Sequence, residues 1–241
     1  LEQSSSAAFS QLYLDKIVKL DPKQNQERLA NLQAILLKLL RFQKSNGRFS
    51  YWENDYYSGW ADIYAGNLLV EMKTAKLLPN NSDMLKKWLN YQYKSANDWS
   101  YNSPSDSYNY ESESLVQAYR LYVLAKADKS AKSAMNRFLG SNQSSSPVTW
   151  WLMAGAYQLA GYESKALELI DKAENLQKNP NKYYYLNFGS NERDFAIVVE
   201  VLALFPRLKE KMQQYYFRMV DNLNQRSWVN TQTKGYAFIA I

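Results

Sequence analysis

The chain has 241 residues, carries 29 Lys+Arg against 23 Asp+Glu for a formal net charge of +6, and contains neither cysteine nor histidine. Within these residues that excludes disulfides, thiolate and imidazole metal sites, Cys nucleophiles and Ser-His-Asp triads, and GxxxxGK[ST], GxGxxG and GxSxG are missing too. What remains is carboxylate, Lys or Tyr chemistry, or no chemistry of the chain's own.

In chain order, apolar spacing predicts about eleven helices. They fall near 4–19, 25–43, 59–77, 83–94, 113–127, 130–139, 147–160, 163–176, 191–205, 208–224 and 229–241. Leu32, Ile35, Leu36, Leu39 and Leu40 mark one face of the second, and Met84, Leu85, Trp88 and Leu89 one face of the fourth. Gly47 suits a left-handed helix stop. Ser82 suits an N-cap, and Pro147 a first helical turn. The densest basic points, Lys86-Lys87 and Lys209 to Lys211, form no concentrated stripe, so no nucleic-acid partner is expected. The longest apolar stretch, Phe195 to Phe205, is interrupted by Glu200 and falls far short of the roughly 20 residues of a membrane span.

Aromatic loops recur along the chain. Trp52, Trp99, Trp150, Phe188 and Trp228 are separated by 47, 51, 38 and 40 residues, each step the length of one helical hairpin. The helix after each such loop is apolar nearly all round, and its partner is amphipathic. Helices apolar all round are buried on both sides. The expected fold is therefore all-α, an α/α toroid of about six helical hairpins with an inner and an outer ring; an open solenoid is the rival. The chain begins without Met and ends inside an apolar helical pattern, so residues 1–241 are expected to be one domain excised from a longer protein.

Carboxylates in or just after the aromatic loops are the first candidates for chemistry: Asp55, Asp62, Asp98, Asp106, Glu111, Glu192 and Asp194. A pair of them, drawn from Asp98, Asp106 and Glu111, could divide acid and base roles in a toroidal glycosidase or lyase. Acidic residues at helix starts also serve as caps and dipole partners, which is the simpler account. Trp52, Trp99 and Trp228 could stack on sugars or close the hairpin ends. Tyr56-Tyr57, Tyr183 to Tyr185 and Tyr215-Tyr216 could form a contact surface on a protein-binding helical scaffold.

Three segments resemble one known family. Leu40-Arg41-Phe42-Gln43 leading to Gly47-Arg48-Phe49-Ser50-Tyr51-Trp52, the helix Gln117 to Ala125, and Trp228-Val229-Asn230-Thr231-Gln232 are similar to segments of the thioester domain of bacterial alpha-2-macroglobulins, a homologue of the complement thioester domain. The resemblance runs from Leu1 to Ile241. That family's motif is Cys-x-Glu-Gln, and Leu1, Glu2 and Gln3 match its last three positions. The resemblance implies a broad-spectrum protease-trapping inhibitor and not an enzyme. With a Cys before Leu1, Gln3 would be the acyl carrier, protease amines would be captured covalently, and Trp52, Trp99 and Trp228 would be aromatic cover. With no histidine to relay the acyl group, direct attack by an amine is the implied route. The implied partners are proteases and flanking macroglobulin-type domains of the same chain. No cofactor, metal or membrane contact of this domain is expected. The implied location is the periplasm or cell envelope, with a lipoprotein anchor on the full-length protein.

Overall fold

The computed structural model describes residues 1–53, 56–79, 81–100, 107–141, 146–176 and 189–240, with backbone alone for 107–112. Among the described residues the regular structure is helical, plus one isolated bridge between Gln43 and Phe49. The helices are α1 (Glu2–Leu12), α2 (Leu14–Ile17), α3 (Pro22–Phe42), α4 (Gly59–Thr74), α5 (Asp83–Asp98), α6 (Ser107–Lys126), α7 (Lys132–Gly140), α8 (Pro147–Leu159), α9 (Glu163–Leu176), α10 (Asn191–Leu202), α11 (Lys209–Asn224) and α12 (Thr231–Ala240).

Several ends follow the sequence signals. Gly47 has φ +98°, Ser82 accepts from the Leu85 N–H, and Pro147 sits in the first turn of α8. The differences have local causes. α3 begins at Pro22 rather than 25, because Asp21 and Gln24 form a reciprocal capping box. The first predicted helix divides at Tyr13 into α1 and α2. α6 begins six residues before the predicted 113, where Ser and Asn favour loops by propensity.

Packing sorts the helices into two kinds. α4, α8 and α10 are buried nearly all round, whereas α5, α9 and α11 bury one face each. Contacts run α1 to α4, α4 to α6, α6 to α8, α8 to α10, α10 to α12, and α12 back to α1. Outside this cycle, α3 packs on α1, α5 on α4 and α6, α9 on α8, and α11 on α10. The first and last helices of the chain are thus neighbours.

Aromatic rings fill the space between the helices of this cycle. Trp60 lies 4.6 Å from Tyr119, Tyr64 stacks on Tyr236 at 5.2 Å, and Phe9 lies 4.9 Å from Tyr64. The Arg193 guanidinium rests 4.6 Å over the Trp60 ring. Offset and tilted ring pairs bury large area at favourable quadrupole geometry. Carboxy-terminal ends converge at a buried ionic cluster: Lys126 of α6 pairs with Glu71 of α4 and with Glu200 of α10 at 2.6 Å, and the Tyr13 hydroxyl after α1 donates to Glu71 at 2.5 Å. These four helices therefore run in one direction, with their amino-terminal ends together on the opposite side.

Candidate functional site

The amino-terminal end of α1 is built from three remote pieces of chain. The loop after α3 is pinned first. Ser50 N–H and hydroxyl both donate to the Phe42 carbonyl, at 3.0 and 3.1 Å, and Phe49 N–H donates to Asp62 at 2.9 Å. This clamping presents the Tyr51 carbonyl to the Leu1 nitrogen at 3.2 Å. On the other side, Asn230 caps α12 by accepting from the Thr233 N–H at 2.8 Å, which fixes Thr231 in its first turn. The Thr231 hydroxyl donates to Glu2 at 3.1 Å, and the Ser6 hydroxyl donates to the same oxygen at 2.8 Å.

Glu2 is therefore buried and held, while its neighbour Gln3 is exposed. Leu1 is buried. Trp52 follows Tyr51 in the loop after α3 and Trp228 precedes Asn230, the cap of α12; they are 58% and 75% exposed. Trp99 is not brought to them: it packs on Phe138 of α7 with ring centroids 5.6 Å apart.

A cavity of about 340 Å³ opens next to Thr231, lined among others by Ser190, Glu192, Arg226, Trp228, Asn230 and Thr233. The buried Glu192 is paired there with Arg226 at 3.1 Å.

The described carboxylates are not assembled as an acid–base pair. Asp62 is fully buried, accepting from Phe49 N–H, from the Trp88 indole at 2.9 Å and from Gln92 at 2.8 Å. Burial pushes its carboxyl up from the ordinary 3.8 to about 6, against those hydrogen bonds and the charge of Arg120. Asp98 is exposed and pairs with Lys94 one turn away. Asp194 is bound by Arg193 at 2.6 Å. Asp55 and Asp106 lie outside the described residues, as does the Glu111 side chain. Among the described residues, no group of three or more acidic side chains could hold a metal ion.

Sequence reasoning missed the partners of Glu2, namely Ser6 and Thr231, and the Glu71–Lys126–Glu200 cluster. Glu200 within an apolar run was the available signal for the second. For the first, Ser6 stood one helical turn from Glu2, but Thr231 left no signal, since it lies 229 residues away.

No family model matches the chain. It is 23% identical over 257 residues to the alpha-2-macroglobulin of Escherichia coli (strain K12), covering all of this chain and 15% of that protein. Among solved structures, Salmonella alpha-2-macroglobulin reacted with methylamine superposes with a TM-score of 0.80 at 19% identity, over 99% of this chain and 16% of that one. Native E. coli alpha-2-macroglobulin spanning domain MG7 to the C-terminus gives 0.79 at 23%, over 99% of this chain and 38% of that fragment. The chain thus has the all-α fold of a region within these much longer proteins.

Proposed function

We propose that this chain is the thioester-type domain of a bacterial alpha-2-macroglobulin, a single α/α toroid serving protease trapping, and that it is not an enzyme. The observation that carries the reading is the start of α1. Leu1, Glu2 and Gln3 match the last three positions of the family's motif, with Gln3 exposed and the two residues before it tied down: Leu1 is buried and Glu2 is bonded to Thr231 of α12. The cycle of helix contacts supports the toroid. Likeness to 38% of the E. coli fragment that spans domain MG7 to the C-terminus supports flanking macroglobulin-type domains of the same chain as neighbours.

The chemistry requires a cysteine immediately before Leu1 in the parent protein. A thioester between that sulfur and the Gln3 side-chain carbon is a strong acyl donor, and a protease lysine attacks it directly to give an amide and a free thiol. Trp52 and Trp228 flank the bond and limit water there. Without that cysteine the domain would serve trapping without covalent capture. The expected location is the periplasm or cell envelope, with a lipoprotein anchor on the full-length protein.

Radiolabelled methylamine tests the covalent version on the parent protein. The expected outcome is label on Gln3 with release of one thiol. Absence of label at Gln3, with cysteine present upstream, overturns it.

A further inference from the structure

Glu2 and Gln3 are adjacent in the first turn of α1 but face opposite ways, one 5% exposed and the other in solvent. The difference is enforced by hydrogen bonds. Thr231 lies 3.1 Å from one Glu2 oxygen and 3.4 Å from the other. Ser6 donates its proton to Glu2, so the Tyr64 hydroxyl, 3.2 Å from Ser6, is the donor in that second bond. Glu2 also lies where the amino-terminal turns of α1 and α12 meet, and exposed N–H groups at helix starts favour an anion. One carboxylate thus ties the first helix to the last.

We propose that Thr231 is a positioning residue for acyl chemistry at Gln3. Its hydroxyl holds Glu2 inward, which fixes the first turn of α1 with Gln3 outward. The inference rests on reading Leu1 to Gln3 as the end of a thioester motif. In bond formation, the thiol sulfur of the upstream cysteine adds to the Gln3 side-chain carbonyl carbon. The carbon–nitrogen bond then breaks, and ammonia departs carrying the thiol proton. In capture, an amine nitrogen forms the new bond to that carbon, the carbon–sulfur bond breaks, and the sulfur takes the amine's proton. Closing the loop between cysteine and Gln3 needs both held in one turn, and pre-organised geometry is what makes such closure favourable. Losing the charge-assisted bond from Thr231 frees that turn.

The test uses the full parent protein and intact mass, where closure shows as the loss of one ammonia. Thr231→Val removes the donor at nearly constant shape, and Thr231→Ser keeps it. The expected result is a roughly ten-fold fall in the closed-to-open ratio for Thr231→Val, the size of effect one charge-assisted hydrogen bond supplies, with recovery in Thr231→Ser. Ser6→Ala, which strips the other hydroxyl from Glu2 without touching α12, should lower the ratio in the same sense. If wild type shows no ammonia loss, the thioester reading fails. If wild type closes and Thr231→Val closes equally, the positioning role is overturned. Should Thr231→Val not fold, Thr231→Ala, which removes the same donor, takes its place, and closure equal to wild type in it overturns the role.

Discussion

Asp62 looks like a catalytic carboxylate in the sequence and acts as a structural acceptor in the fold. Its two oxygens take three donors, one from the loop after α3 and two from α5, and Gln92 passes the chain on by accepting from Arg120 at 2.8 Å. The Trp88 indole reaches Asp62 because Gly66 leaves room: a Cβ there would lie 1.9 Å from the indole ring. Asp62→Asn breaks the donor–acceptor order. An amide at 62 faces the Gln92 amide, and turning Gln92 round sets its N–H groups against Arg120. The expected loss at pH 7 is roughly 1–3 kcal/mol, for a buried polar group left badly paired. The pH dependence has a definite sign. Unfolded, Asp62 loses its proton near 3.8; folded, it does so at about 6. Between these values the folded state holds the extra proton, so this residue stabilises the fold as pH falls towards 4 and that contribution is lost as pH rises through 6. Urea unfolding at pH 5 and pH 7 should therefore show a wider gap between wild type and Asp62→Asn at pH 5.

At the scale of elements, the carboxy-terminal ends of α1, α4, α6 and α10 would crowd partial negative charge together with Glu71 and Glu200. Lys126 is the cation that makes this arrangement possible, with Tyr13 and Tyr122 donating to the same carboxylates. Burial alone would push the Glu71 carboxyl up; the Lys126 charge, with hydrogen bonds from Lys126 and Tyr13, holds it below its usual range. Its contribution is present at neutral pH and is lost only as pH falls through that lowered value, the opposite sense to Asp62. Lys126→Met removes the cation and strands the buried Glu71 and the largely covered Glu200. A loss of roughly 3–5 kcal/mol is expected, read as a lowered urea midpoint at pH 7. An unchanged midpoint would mean the cluster is not holding the helix ends together.

The whole molecule depends on contact between its first and last helices. α1 packs on both α12 and α4, so it closes the cycle and covers Tyr64 and Tyr236. Removing residues 1–13 exposes those rings and deletes Glu2, Ser6 and Tyr13 together. The truncated chain should bind a hydrophobic dye and lose its single sharp unfolding transition. Retention of one sharp transition would show that the remaining helices form an independent core.

Local physics reached far along this chain. Helical spacing, the Gly47 stop, the Ser82 and Pro147 starts and the alternation of all-apolar with amphipathic helices were all written in the sequence. Each depends on hydrogen bonds and side-chain contacts within a few residues. The Asp21–Gln24 capping box was legible as well, though the spacing of apolar residues alone pointed three residues further on. The partners of the charged groups were a different matter. Asp62 with Trp88 and Gln92, Lys126 with Glu71 and Glu200, and Glu2 with Thr231 lie 26 to 229 residues apart. Only the packing of remote helices against one another brings them together. That same packing brings Tyr51 and Thr231 to the start of α1 and takes Trp99 to Phe138. Residue type told which groups could do chemistry. The tertiary structure decided which of them are neutralised in the core and which, like Gln3, are left facing water, because burial and pairing belong to the assembled helices and to no single stretch of chain.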